Sequence, residues 1–333
     1  MMRWLIAFRF IFVLMTVVAC ATPPHAQTPE LPEPAVEIAE LWQEPVDLLE
    51  RDLAAGPGSA ALTPPADGRY EFVAFKTSGT NPGYEVRDAT GRVWSVKLGV
   101  EAQSEVTASR ILWALGFHQP ATYYLPEFTL SGADAGTRLQ ARFRGDVAPW
   151  KSTGGDWSWY ENPFVETQPF RGLIVAQLLL NSWDLKASNN RIYEATGVTL
   201  RPRRRFVVRD VGASLGHSKQ FVLFSMLGTR GRQGSKNDID GFEQQGFIKR
   251  VEGNKVIFDY RGMNQALVDI VTVPDVIWAC ERFARIPDGH WQAAFRAGGY
   301  APEIAGRYIS KIKSKIGEGL ALKERGTTNT ATR

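Results

Sequence analysis

Cysteine is nearly absent from this chain of 333 residues, which holds only Cys20 and Cys280. With Cys20 in an N-terminal targeting segment, no internal disulfide is expected, and packing must hold the fold. Histidine is as sparse, with four residues at positions 25, 118, 217 and 290. Their scatter assembles no Cys/His metal cluster and no Ser-His-Asp set, which argues against zinc and serine-hydrolase chemistry. The N-terminal apolar run "FIFVLMTVVA" (Phe10–Ala19) is too short to span a bilayer alone. Internal repeats are also missing. Cys280 lies in "DVIWACERFARI", an amphipathic helical pattern, and reads as a small buried apolar residue.

What is present suits a folded domain. The chain is 44% hydrophobic and 22% charged, with a net charge of +4. Its basic runs are "RPRRR" (Arg201–Arg205), "FIKR" and the last helical stretch "ISKIKSKIGEGLALK". These read as solvated faces, and no nucleic-acid partner is expected.

Arg3 and Arg9 precede the apolar run, which suits the centre of a signal peptide over residues 1–20. "VVAC" resembles a bacterial lipobox with Cys20 as the lipid acceptor; cleavage after Ala21, with no lipid, is the other reading. The expectation is an exported, periplasmic protein anchored to a membrane through its N-terminal lipid. Ala21 offers no acid for inner-membrane retention, which favours the outer membrane. Residues 21–69 are rich in Pro and Ala and read as a tether, with one short helix around "PVDLLERDL".

From residue 70 the pattern turns to strands. "YEFVAFK", "GYEVRDA" and "RVWSVKLG" are short β-prone runs separated by turn-rich segments, an antiparallel meander. "EAQSEVTASRILWALGF" follows as a helix that Gly116 stops. Glu101, Glu105, Ala108, Leu112 and Leu115 share one stripe of it, so two acids face the core and require a cation, with Lys97 the nearest. "YYLPEFTL" and "TRLQARFRG" add two strands, which completes a β-rich lobe over residues 70–146. Residues 147–325 read as a helical lobe with a two-stranded insert, and 326–333 as a disordered tail. The fold class is therefore α+β and bilobal: a small antiparallel β lobe with one helix, then a larger helical lobe.

Polar signals fall in a suggestive order. A turn-rich loop "KTSGTNPG" comes first, then Lys97 on the third strand and Glu105 on the next helix. "WDLKASN" follows a buried helix, and "VVRDVG" follows two strands. This segment resembles the catalytic loop of the protein-kinase superfamily. It is nearer the atypical branch of HipA-like and phosphatidylinositol-kinase-like enzymes than the eukaryotic Ser/Thr kinases. The stretches "GTNPGYEVRDATGRVWSVKLGVEAQSEVTASRILWALGF", "WSWYENPF" and "LLLNSWDLKASNN" also resemble a group of bacterial exported proteins.

The resemblance implies phosphoryl transfer from Mg-bound ATP, or another phosphoryl donor, to an unknown acceptor in the cell envelope. It implies that Lys97, held by Glu105, contacts the donor phosphates. Ser78, Gly79 and Thr80 would cradle them through backbone N–H groups. Asp184 would take or orient the acceptor's proton, with Lys186 neutralising the transferring group. Asn189 and Asp210 would hold the metal. Asn190 stays open in place of Asn189, and Glu101 in place of Glu105.

The sequence also departs from the pattern. Ser182 and Trp183 stand where His-Arg would precede Asp184, no Gly-x-Gly-x-x-Gly is present, "DVG" replaces Asp-Phe-Gly, and no Ala-Pro-Glu follows. A catalytically inactive kinase-like binding module and a structural envelope lipoprotein remain as alternatives. Trp157, Trp159 and Tyr160 read either as a substrate ledge or as pins for a loop.

Overall fold

The alternation along the first strands builds a barrel. β1 (Arg69–Phe75), β2 (Gly83–Arg87), β3 (Val93–Leu98), β4 (Ala121–Ser131) and β5 (Gly136–Gly145) close in the order β1-β2-β3-β5-β4. The computed structural model describes residues 36–65, 67–77, 81–197, 200–218 and 234–324. The expected signal peptide over residues 1–20 with Cys20, the first part of the expected tether, Ser78, Gly79, Thr80 and the expected C-terminal tail lie outside the described residues. So do residues 219–233.

The barrel departs from the expected antiparallel meander in one respect. β1 pairs with β4 in parallel, Arg69 opposite Thr129, while the other pairings are antiparallel. Closure leaves no free sheet edge, and a barrel this small is filled by side chains. Tyr70, Trp94, Tyr123, Phe128 and Phe143 fill it, with Phe128 and Phe143 edge to face at 5.1 Å between ring centres.

After β3 comes α1 (Glu101–Ala114), nearly all buried. Gly116 ends it at φ +98°, and a Cβ there would lie 2.0 Å from the Gln43 carbonyl, so only glycine fits. Past the barrel, β6 (Trp150–Ser152), β7 (Asn190–Ala195) and β8 (Arg204–Val208) form a three-stranded sheet. The expected two-stranded insert thus gains a third strand. Helix α2 (Gln168–Leu179) starts at Thr167, whose hydroxyl accepts from the Phe170 N–H. The remaining elements are α3 (Ile239–Gln244), the β9 (Ile248–Glu252) and β10 (Lys255–Phe258) hairpin, α4 (Gln265–Asp269), α5 (Val273–Ala284), α6 (Asp288–Ala297) and α7 (Pro302–Leu320). The fold is thus mixed α and β.

A second core joins α1, α2 and the later helices. Leu41, Leu48 and Leu53 belong to it, so the Pro/Ala-rich stretch is packed against the domain from residue 36 onward rather than free as a tether. Proline there prevents long helices, and short 3-10 turns at Ile38–Glu40 and Leu48–Glu50 present the leucines instead. Trp157 and Trp159 are buried, and Trp157 Nε1 donates to the Val207 carbonyl at 3.1 Å, which makes them loop pins.

One buried charge stands out. Lys315, on the apolar face of α7, is 0% exposed among Ile312, Ile316 and Phe242. Its Nζ donates to Asn181 Oδ1 at 2.7 Å, and burial pushes it down from 10.5 to about 7. The unfolded chain keeps this proton up to its ordinary value, so the cost of burying the charge is full below pH 7 and fades as pH rises. Folding stability should therefore gain up to about 1.4 kcal/mol per pH unit from this group between pH 7 and 10. Urea unfolding of Lys315→Met should lack that component; an identical pH slope in the variant would contradict it.

Candidate active site

The geometry starts with the four-residue step from β3 into α1. Lys97 is the penultimate residue of the strand, and Glu101 and Glu105 stand one turn apart on the helix, so all three meet. Lys97 Nζ lies 2.5 Å from Glu101, 3.1 Å from Glu105 and 2.9 Å from Asp210. Both acids left open by the sequence therefore pair with Lys97. The next strand adds two guanidinium groups, because β5 sets Arg142 opposite Lys97 and Arg144 opposite Ser95. Glu105, 0% exposed, meets Arg142 Nε at 2.8 Å and Arg144 Nη2 at 2.5 Å. One buried carboxylate thus counters three cations. Glu101 is shared with Lys236.

Burial works against charge on Lys97, but Glu105, Asp210 and Glu101 hold it above the ordinary lysine range. Burial likewise works against the Asp210 anion. Lys97 and Arg144 outweigh it and keep the carboxyl well below the usual aspartate range. Both groups are charged at neutral pH.

The Asp184 loop is held from several sides. Asn181 takes a positive φ of 52° at the end of α2, and its side chain donates to the Gly216 carbonyl at 2.7 Å. Trp183 N donates to the Ala213 carbonyl at 3.1 Å, while its ring Nε1 donates to Ser235 O at 2.9 Å. Asn189 Nδ2 donates to the Asp184 carbonyl at 2.6 Å, and the Asp210 N–H donates to Asn189 O at 3.0 Å, which ties the two loops together. Gly212 allows a close approach: a Cβ there would lie 3.0 Å from Glu101 Cβ and 3.3 Å from Glu105 Oε2, tighter than ordinary contact. Asp184 Oδ2 pairs with Lys186 at 2.9 Å, and its buried Oδ1 has no hydrogen-bond partner among the described residues.

Lys97, Asp184, Lys186, Asn189 and Asp210 line one cleft of 340 Å³, with Glu105 just behind it. Asn190 does not line it; fully buried, it donates to the Trp157 carbonyl at 2.9 Å. Asn189 is therefore the amide that faces the cleft. Sequence reasoning missed Lys76, Arg142, Arg144, Arg191, Arg209 and Lys236, which also line it. The signal available was the two-residue spacing of Arg142 and Arg144, which places them on one face of a strand. In all, eight Lys or Arg side chains line the cleft against four carboxylates, an electrostatic bias towards anions.

The donor set suits a hard divalent cation. Oxygens of Glu101, Glu105 and Asp210 lie within 4.8 Å of one another, but the Lys97 ammonium already sits among them and counters them, so this trio is not itself the cation site. The Asn189 amide, whose nitrogen is already engaged, offers its oxygen in the same cleft as Asp210.

No protein-family model and no curated protein matches the chain. Among solved structures, the Helicobacter pylori proinflammatory kinase CtkA is similar at a TM-score of 0.45 and 14% identity, over 76% of this chain and 97% of that one.

Proposed function

We propose that the chain is an exported kinase-like phosphotransferase that moves a phosphoryl group from a Mg-bound donor, a nucleotide or another polyphosphate, to an envelope acceptor. The observation that carries the reading is the convergence of Lys97, Asp184, Asn189 and Asp210 on one cation-rich cleft. In this reading the barrel with α1 and the helical portion are the two lobes of a kinase-like fold. An N-terminal lipid on Cys20 tethers the domain to the outer membrane.

Lys97, locked by Glu105, presents a fixed positive charge to the donor phosphates. Asp184, with Oδ1 unpaired and Lys186 beside it, orients the acceptor hydroxyl and takes its proton. Lys186, half exposed, neutralises charge on the group in transfer. Asn189 and Asp210 would hold Mg²⁺, which supplies charge neutralisation on the phosphate oxygens when bound. Arg142 and Arg144 keep Glu105 in place and hold the cleft positive.

Asp210→Ala is expected to remove the Mg²⁺-dependent thermal stabilisation of the chain by ATP. In the wild type that stabilisation corresponds to about 2.7 kcal/mol at a hundredfold excess over Kd. A variant that keeps the full Mg²⁺-dependent shift would overturn the assignment of Asp210.

A further inference from the structure

We propose that the phosphoryl donor of this site is an inorganic polyphosphate, a linear chain of phosphates with no base. This specifies the donor class of the phosphotransferase reading above and rests on that reading.

A nucleoside is held mainly by burying the faces of its base against apolar or aromatic surfaces. The cleft lacks such surfaces among the described residues: its only apolar side chains are Val96 and Ala213, and no aromatic ring lines it. Its 340 Å³ is near the low end of small-molecule sites, about 300–1,000 Å³. Beside the Lys97–Asp210 pair the cleft continues with cations. Arg142 stands opposite Lys97 in the sheet, Lys76 Nζ donates to Ser95 Oγ at 2.6 Å, and Arg144 donates to the Arg209 carbonyl at 2.9 Å.

Arg142 and Arg144 leave little face for a base to stack on, because their side chains are only 3% and 8% exposed; held by Glu105, they add positive field to the cleft. Lys76 and the Arg209 guanidinium form no ion pair among the described residues. Burial, then Arg142, Arg144 and Arg209, push Lys76 down to about 8. Like charges held this close repel, and a bound polyanion relieves that repulsion. A phosphate chain brings a negative charge with each unit, which matches a track of cations and needs no apolar slot.

The chemistry balances without a base. The acceptor hydroxyl oxygen forms a bond to the terminal phosphorus, and the bridging P–O bond to the next phosphate breaks. The electron pair leaves on the shortened polyphosphate, and the hydroxyl proton goes to Asp184.

The test is a thermal-shift titration of the full chain with Mg²⁺ and either tripolyphosphate, ATP or adenosine. Tripolyphosphate is expected to shift the melting temperature at least as much as ATP at equal concentration, with no shift from adenosine. Lys76→Gln and Arg209→Gln should weaken tripolyphosphate tenfold or more without lowering the melting temperature of the free protein. A polyanion merely attracted to basic surface would bind Asp210→Asn as well as the wild type, and that result overturns the proposal. A larger ATP shift, with adenosine competing, overturns the donor class while leaving phosphotransfer intact. No Mg²⁺-dependent shift from either phosphate ligand overturns both.

Discussion

Asp184→Asn is expected to lower phosphoryl transfer about a thousandfold, within the range for loss of a general base, while Mg²⁺-dependent ligand binding changes less than threefold. Water can stand in for the acceptor, so slow phosphate release from the donor is a sufficient assay. The split between rate and binding follows from how the residue is held. Its carbonyl accepts from Asn189 Nδ2 at 2.6 Å and from the Lys186 N–H at 2.9 Å, and asparagine keeps both bonds. What changes is Oδ1, buried without a partner, and the charge that Lys186 meets at 2.9 Å. An amide in that place has no basic oxygen to receive a proton. Unchanged release would mean that Asp184 only orders the loop, and the catalytic reading would fall to that of a binding module.

Glu105→Gln should cost about 3–5 kcal/mol in urea unfolding, the range for breaking a buried ion pair from one side. The reason is the imbalance it creates. Lys97, Arg142 and Arg144 all converge on this one fully buried carboxylate, and glutamine leaves their charges without it. Glu101 and Asp210 still hold Lys97, but no other carboxylate contacts Arg142 or Arg144 among the described residues. By contrast, Asp47→Asn breaks an i,i+4 pair with Arg51 whose aspartate is half exposed, and should cost less than about 1 kcal/mol. A loss at Glu105 no greater than at Asp47 would refute the charge-cluster account.

How much of this could be read from the chain varies with the range of the interaction. The acid stripe of α1 was legible, because helical spacing puts Glu101 and Glu105 on a face that ends in Leu112 and Leu115, and a buried acid demands a cation. The choice of Asn189 over Asn190 was less so. It depends on which amide the turn aims at Trp157, a contact 33 residues away. The cluster of Arg142, Arg144 and Arg209 was not legible as a site, since alternating arginines on a strand look like a solvated face until β5 pairs with β3. Parallel closure of β1 on β4 is likewise a long-range event that no local pattern announces. Proline in residues 36–62 excluded long helices, yet said nothing against leucines packing from loops. Lys315 was hidden in a basic helix, although its place between Ile312 and Ile316 put it on the apolar stripe.

The most direct measurement is anomalous diffraction from Mn²⁺ in crystals of the chain grown with a triphosphate ligand. The account predicts a manganese peak coordinated by Asn189 Oδ1 and the Asp210 carboxylate, with Lys97 on the ligand's phosphates. Manganese bound away from Asp210, or a triphosphate lying outside the cleft between Lys97 and Asp184, would contradict it.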